Sequence, residues 1–245
     1  MGGLWGSFAN VCIYRLPQDK GVVSGRSYCP KCKTQISWYD NIPILSYLFI
    51  QGKCRKCKKQ ISIQYLIVEL LSVLSFVVAY FFYGITITTL LFIILALTFI
   101  IIFFIDLKHY IIPNGLTFPL MFIGFVKSFD PNLNELFPNY INSLIGGVFG
   151  YGIIWAIIFI YKVLRNKEGM GLGDAKLLSA IGFWFGWISI PFILFFSSFI
   201  ALMFAIPDLI KKSKTMSSKI PFGPYLVLGC VLYFFLIEQI IKFLN

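Results

Sequence analysis

Two aspartates of this sequence lie in strongly apolar surroundings. Asp106 occurs in the segment FFIDLKHYIIP and Asp174 in the segment GMGLGDAKL. An aspartate inside a membrane helix costs about 2.5–3.5 kcal/mol on insertion scales, so such residues usually carry a function. Two carboxylates that lie close together can share one proton, because like charges push their pKa values apart. The ionised carboxylate can then take a proton from water while the neutral one donates to a carbonyl oxygen, which is the chemistry of amide hydrolysis.

Asp174 also has a simpler interpretation. It directly precedes an apolar stretch, and an aspartate in that place can cap a helix by accepting backbone N–H groups. The glycines before it, Gly169, Gly171 and Gly173, are predicted to support an active-site turn, since a residue without a Cβ permits close approach of a substrate backbone. A flexible loop explains the same glycines. A catalytic interpretation of Asp174 therefore depends on a second carboxylate at the same membrane face.

Four cysteines form the most specific pattern in the sequence, a pair of C-x-x-C knuckles made of Cys29, Cys32, Cys54 and Cys57. Such knuckles can place four thiolates at the corners of a tetrahedron, which is the geometry that Zn²⁺ prefers. Disulfides are the alternative, but the basic loop that holds the cysteines is predicted to be cytoplasmic, where thiols stay reduced. Four protein ligands leave no open position for water, so we predict a structural zinc ion that folds the loop.

The composition indicates that membrane helices position these residues. The 245-residue chain is 58% hydrophobic and 13% charged, with a mean hydropathy of +0.84, far above the values of a soluble domain. Apolar stretches of about 17–25 residues can span a bilayer as helices. Stretches of roughly this length occur at 61–83, 85–105, 111–126, 140–164, 190–210 and 222–244, with weaker ones at 1–16 and 175–187.

The distribution of charge predicts the orientation of these spans. Residues 15–60 contain ten Lys and Arg residues against two acids, which indicates a cytoplasmic loop. Threading eight spans from this loop places the later basic clusters inside and Asp130 outside, so Asp106 and Asp174 share the cytoplasmic face. The basic residues are dispersed over several loops, where they meet anionic membrane lipids. They do not form the single aromatic-lined face of a nucleic-acid-binding protein, so we expect no nucleic-acid partner.

The sequence thus predicts an all-α polytopic membrane protein with about eight transmembrane helices and a small cytoplasmic zinc-binding loop domain. We expect residues 1–60 to form an N-terminal membrane segment plus the zinc-binding loop, and residues 61–245 to form the transmembrane domain that carries the aspartates. Glu69 lies within the first full span, where an acid is costly, and faces either the zinc loop or a cofactor cavity.

Several motifs resemble those of the type IV prepilin peptidases, which are bacterial membrane aspartic proteases of the GxGD type. The segment GMGLGDAKL is similar to the GxGD motif of that family. Other segments are similar to the family in its order, over about residues 3–229, namely GSFANVCIYRLP, the paired C-x-x-C knuckles around WYDNIPILSYL, GKCRKCKKQISIQYLIVE, DLKHYIIPNGLT and IPFGPYLVLG. The family usually has more residues before GSF than this chain has.

The resemblance implies that Asp106 and Asp174 are the catalytic dyad, and Lys176 is included because the family motif contains it. It also implies prepilins or pseudopilins as substrates, cut at the cytoplasmic face between a basic leader and an apolar helix, and a location in the bacterial inner membrane. Many members then methylate the new N-terminal amine with S-adenosylmethionine. The resemblance therefore implies this cofactor, although the sequence contains no G-x-G-x-x-G motif after a strand that would mark its site.

Two other functions would use the same residues. A non-catalytic zinc-binding membrane scaffold for pilus or secretion assembly would tolerate replacement of both aspartates. A proton-coupled transporter could use Asp106, Asp174 and His109 as a relay. Transporters have acids at the midplane of several spans or internal repeats, whereas the acids here cluster at one predicted face and no repeat is seen.

Overall fold

The computed structural model describes residues 1–23, 27–29, 31–133, 137–165, 170–210 and 220–244, and its secondary structure in these ranges is helical apart from two isolated β-bridges. The α-helices are α1 (Gly2–Arg15), α2 (Leu45–Phe49), α3 (Gln64–Tyr83), α4 (Ile87–His109), α5 (Asn114–Val126), α6 (Tyr140–Arg165), α7 (Leu172–Phe185), α8 (Ser189–Ile210) and α9 (Gly223–Leu244). Short 3₁₀ turns occur at Leu16–Gln18, Trp38–Asn41, Lys127–Phe129 and Pro131–Leu133.

Each of the eight predicted apolar stretches contains a helix, namely α1 and α3 to α9. By length and composition, four helices in the described ranges can cross a membrane: Gln64–Tyr83, Ile87–His109, Tyr140–Arg165 and Ser189–Ile206. Large apolar side chains such as Phe81, Phe122 and Phe195 are exposed on the outer helix faces, as expected for surfaces that contact lipid. The predicted all-helical class with membrane-capable helices is confirmed, while the number of eight spans stays a prediction.

The chain divides into two compact units, Met1–Ile105 and Asp106–Asn245. The boundary lies within α4, immediately before Asp106. The four cysteines of the knuckles and Glu69 belong to the first unit. Asp106 and Asp174 both belong to the second, so the candidate catalytic pair lies within one unit.

In the first unit, α1 packs closely against α3 because small residues line the contact. A Cβ at Gly6 would lie 2.7 Å from the Cα of Glu69, and a Cβ at Gly2 would lie 2.9 Å from the α3 backbone. Small residues four positions apart permit such close packing of membrane helices. Asn10 adds a polar contact, because its side-chain amide donates a hydrogen bond of 3.0 Å to the carbonyl of Tyr65.

In the second unit, α7 is buried between α5 and α6. Several of its side chains have no exposed surface, namely Leu177, Leu178, Ile181 and Trp184. A Cβ at Gly146 of α6 would collide with the carbonyl of Gly182, so the two backbones touch. Trp184 Nε1 donates a hydrogen bond of 2.8 Å to the carbonyl of Leu120 in α5. This packing fixes the helix that begins at the turn before Asp174.

Lys127, the only basic residue between α5 and α6, is buried. Its Nζ lies 3.7 Å from the centre of the Phe137 ring and donates a hydrogen bond of 3.2 Å to the carbonyl of Trp184. Burial lowers the pKa of Lys127 to about 7, because a charged ammonium is poorly solvated there. The connection around Asp130 contains this one basic residue in the sequence, which is the pattern on which the predicted orientation relies.

Candidate functional site

Asp106 lies in the last turn of α4 and is only 4% exposed. Its Oδ2 accepts a hydrogen bond of 3.0 Å from the backbone N–H of Gly223, the first residue of α9. The chain leaves α4 directly afterwards, because Tyr110 has a left-handed φ of 58°. A helix end, a turn and the beginning of another helix thus surround this carboxylate.

Asp174 is the third residue of α7 and is 8% exposed. Its carboxyl lies close enough to Asp106 for the two groups to interact electrostatically, and it also interacts with the backbone N–H of Gly171. Asp174 thus lies near the backbone of Gly171 at the start of its own helix and near a second buried carboxylate, and its role as a helix cap or as a catalytic group stays a prediction.

The glycines of the GMGLGD segment have different surroundings. Gly171 is the N-cap of α7, with φ −88° and ψ 149°, an extended conformation that any residue adopts. A Cβ at Gly173 would lie 3.2 Å from the Cβ of Ile112, so the open side of this glycine is filled by a side chain of the protein itself. Gly169, the third glycine predicted to support the turn, lies outside the described residues.

Lys176 joins the beginning of α7 to the beginning of α5. Its Nζ donates a hydrogen bond of 2.8 Å to Asn114 Oδ1 and lies 5.5 Å from the centre of the Phe118 ring. This contact places Lys176 beside the IIPNG segment that follows Asp106 in the sequence. Its position agrees with a supporting function, which stays a prediction.

The four cysteines of the knuckles meet in a cluster in the first unit. Sγ distances are 4.0 Å between Cys29 and Cys57 and 4.0 Å between Cys32 and Cys54, and all four atoms lie within 4.8 Å of one another. All four cysteines are free. A tetrahedral site with Zn–S bonds of about 2.3 Å places its sulfurs about 3.8 Å apart, so the cluster has the dimensions of such a site.

The two knuckles end in the same kind of turn. Lys33 N–H donates to the Cys29 carbonyl at 2.8 Å, and Lys58 N–H donates to the Cys54 carbonyl at 2.9 Å. Lys33 and Lys58 both have left-handed φ values, 56° and 57°. A repeated turn of this kind presents the two pairs of sulfurs in the same way, which suits a shared metal ion.

Hydrogen bonds favour the thiolate form that metal binding requires at two of the four cysteines, Cys32 and Cys54, whereas burial and the neighbouring thiols raise the pKa of Cys57 to about 11. The side chain and backbone of Thr34 lower the pKa of Cys32 to about 6. The backbone N–H groups of Cys57 and Lys56 lower the pKa of Cys54. The donor set therefore fits a soft divalent ion such as zinc.

Glu69 contacts the loop between the two cysteine pairs, which is one of the two placements that the sequence left open. Its Oε2 accepts a hydrogen bond of 2.8 Å from the backbone N–H of Ile44, just before α2. Ile44 has a φ of 65°, which is rare for a β-branched residue and indicates a constrained backbone. The contact ties the loop between the cysteine pairs to the membrane helix α3.

Comparisons with known proteins agree with the motifs. Residues 1–83 match the bacterial Peptidase A24 N-terminal domain, and residues 91–206 match the Type IV leader peptidase family. Three proteins named prepilin leader peptidase/N-methyltransferase are similar to the chain. The Aeromonas salmonicida protein is 35% identical over 256 residues, covering 91% of this chain and 84% of its own length. The Vibrio cholerae serotype O1 protein is 38% identical over 248 residues, covering 95% of this chain and 93% of its own length. The Neisseria gonorrhoeae protein is 34% identical over 253 residues, covering 94% of this chain and 86% of its own length.

The chain belongs to the type IV leader peptidase family. This confirms the resemblance inferred from the GMGLGDAKL and IPFGPYLVLG segments. Together with the four membrane-capable helices, membership of this family indicates an inner-membrane protein. No solved structure matches the chain.

Two contacts of the candidate site were not predicted from the sequence. Gly223 contacts Asp106 through its backbone N–H, and a backbone donor cannot be read from the sequence. The only signal there is a glycine followed by a proline at a helix start. Ile112 packs against Gly173 and resembles any other apolar residue of its segment. Both contacts arise where the end of α4 meets the beginnings of α7 and α9, and a sequence pattern does not show which helix ends meet.

Proposed function

We propose that this chain is a membrane aspartic endopeptidase that removes the leader peptide from type IV prepilins or pseudopilins at the cytoplasmic membrane face. The observation that supports this function most is the pair of buried carboxylates, Asp106 and Asp174, at adjoining helix ends of a type IV leader peptidase family member. The relatives' shared name, prepilin leader peptidase/N-methyltransferase, suggests the substrate.

The two carboxylates divide the work of hydrolysis between them. The ionised carboxylate takes a proton from water as the water oxygen attacks the scissile carbonyl carbon, and the protonated carboxyl donates to the carbonyl oxygen. Collapse of the tetrahedral intermediate breaks the C–N bond, and a proton passes to the leaving amine. The products are a leader peptide with a new carboxylate and a mature pilin with a free N-terminal amine.

The substrate must bind in an extended conformation, because the amides of a helix are already paired and poorly accessible. Non-helical backbone at membrane depth has to lie in a protein cavity. The segments beside the two aspartates that are not helical, residues 110–113 and Gly171, supply backbone of this kind. We propose that the prepilin segment lies against them.

The predicted topology belongs to this proposal. Eight transmembrane helices would place the zinc loop and both aspartates at the cytoplasmic face, where prepilins present their basic leader. Residues 1–60 would form the N-terminal segment with the zinc loop, and residues 61–245 the peptidase domain. Membrane lipids would surround the helices, and no nucleic acid would take part.

We further propose that the cysteine cluster holds a structural zinc ion. Four thiolates are a ligand set of structural zinc sites, and they leave no open position for a hydrolytic water. The segment between the two knuckles has few buried side chains, so metal binding would supply much of its folding free energy. Zinc would therefore act on the loop, and the aspartates on the peptide bond.

The relatives' name also suggests N-methylation of the new N-terminus. S-adenosylmethionine would supply the methyl group when bound. In the described residues, a cavity of about 380 Å³ in the zinc loop is lined by Lys53, Arg55 and Lys58 and by no acid. Three cations do not suit the positively charged sulfonium of this cofactor, so we do not place it there.

Cleavage of a synthetic peptide tests the proposed peptidase. The purified protein is incubated with a peptide that has a basic leader followed by an apolar segment, and both fragments are identified by mass spectrometry. We expect one cut at the junction and equal amounts of the two fragments. A scaffold or a transporter leaves the peptide intact.

A further inference from the structure

The N-terminus of α9 presents one backbone donor to Asp106. Gly223 N–H donates to Asp106 Oδ2 at 3.0 Å, and both residues are buried. Pro224 has no N–H, and the N–H of Tyr225 bonds to the Phe222 carbonyl at 3.0 Å. The free donor of this helix start is thus directed at the carboxylate, where the positive end of the helix dipole also favours a negative charge.

Only a residue without a side chain fits at position 223. A Cβ built there would lie 2.7 Å from Asp106 Oδ2 and 3.0 Å from Ile112 Cδ1. Among the glycines that the structure describes, those with left-handed φ values are Gly52, Gly84 and Gly186, so Gly223 is not required by its backbone conformation. Space at the carboxylate is the reason for this glycine.

Ile112 lies between the beginnings of two helices. One side approaches Gly223 of α9, and the other approaches Gly173 of α7, where a Cβ would lie 3.2 Å from the Ile112 Cβ. Each helix start carries or contacts one of the two aspartates. The pair of glycines and the side chain between them therefore determine how close the two carboxylates come.

We propose that Gly223 is a positioning residue for Asp106. Its N–H holds Oδ2, and its missing Cβ allows α9 to begin within hydrogen-bond distance of Asp106. Charge-assisted hydrogen bonds of this kind are strong and directional, so they fix the orientation of a carboxylate. The inference rests on the proposed peptidase function.

The variant Gly223→Ala tests this inference on the full-length protein with the prepilin-like peptide. The added Cβ displaces the Asp106 carboxylate, and displacements of about 1 Å at a reacting group reduce rates about 100-fold. We expect kcat to fall about 10- to 100-fold while KM for the peptide changes less than about twofold, since the peptide is not held by Gly223. The control is Gly152→Ala in α6, where a Cβ meets nothing within 4 Å and kcat is expected to remain unchanged.

A double variant separates the two contacts of the added Cβ. Ile112→Val removes Cδ1 and hence the contact with Ile112, but leaves the contact with Asp106 Oδ2. If Gly223 positions Asp106, Gly223→Ala/Ile112→Val keeps the low kcat of Gly223→Ala. Recovery of kcat in the double variant would show that Gly223 serves only helix packing, which overturns the inference.

An ester in place of the amide between Phe222 and Gly223 tests the donor without adding any side-chain atom. This change replaces the N–H by an ester oxygen and also weakens the Phe222 carbonyl, which accepts the N–H groups of Tyr225 and Leu226. It adds no steric contact, so it can be measured even if Gly223→Ala does not fold. We expect kcat to fall at unchanged KM, and an unchanged kcat overturns the inference. Failure of the proposed function gives a different result, because then the unmodified protein does not cleave the peptide at all.

Discussion

At the scale of single residues, the candidate site is made of groups whose chemistry depends on their neighbours. Asp106 and Asp174 are both buried, and each interacts with a backbone N–H at a helix start. A capping aspartate needs no second carboxylate beside it. The presence of two at one place is therefore better explained by proton transfer than by helix capping.

The first prediction concerns these two carboxylates. Asp106→Asn and Asp174→Asn each keep the size of the side chain but cannot transfer a proton, so each is expected to reduce cleavage at least about 100-fold. Expression and membrane insertion should remain near normal. The measurement is the rate of peptide cleavage by purified variants.

Asp19→Asn is the matched control, because Asp19 is an exposed acid of the first unit. It should cleave at the unmodified rate. A substantial rate in either Asp106→Asn or Asp174→Asn would remove the proposed dyad and favour a scaffold or transporter.

At the scale of elements, the sequence predicted the helices well but not the contacts between their ends. Apolar stretches located α1 and α3 to α9, because a membrane helix must be apolar along its length. The five-residue helix α2 lies in the loop between the two cysteine pairs and was not predicted, since it is too short to show a helical periodicity of apolar residues. The contacts of Gly223 and Ile112 were also missed, because they arise where ends of separate helices meet.

The second prediction concerns the contact between α3 and the zinc loop. Glu69→Ala leaves the N–H of Ile44 without its acceptor at a constrained backbone position, which should cost about 1–3 kcal/mol. Residues 42–49 are then expected to exchange amide hydrogen faster, as measured by mass spectrometry. Glu69→Gln keeps an oxygen acceptor and serves as the control. Equal exchange in both variants would show that the hydrogen bond does not hold the loop.

At the scale of the whole molecule, orientation in the membrane decides whether the aspartates can meet a prepilin.

The third prediction uses the pattern of charge: a cysteine introduced as Asp130→Cys should react with an impermeant reagent from outside the cell. A cysteine introduced as Leu164→Cys, at the exposed end of α6, should react only after the membrane is opened.

Labelling of Leu164→Cys from outside would place the beginning of α7 on the wrong side for the proposed reaction. The labelling of the native cysteines is measured as a background. Cys12 and Cys230 are buried, and the other four cysteines form the cluster. The unmodified protein therefore supplies the baseline for both positions.

The last prediction separates the metal cluster from the peptidase site. Cys54→Ser removes one of four ligands, and structural zinc contributes about 10 kcal/mol or more to the folding of small zinc-binding segments. The variant is therefore expected to lose bound zinc and the structure of the loop. The cluster belongs to the first unit and both aspartates to the second, and membrane helices carry their own hydrogen bonds, so the spans should remain folded.

Metal content, helix content and peptide cleavage are measured on one purified Cys54→Ser sample, with Cys12→Ser as the control because Cys12 lies outside the cluster. Because no cysteine touches the reacting atoms in the proposed mechanism, cleavage should persist after the metal is lost. If cleavage disappears while the helices remain folded, the loop helps to build the peptidase site. The aspartates would then be insufficient without the metal-bound loop, and the division between a structural metal and a catalytic carboxylate pair would be wrong.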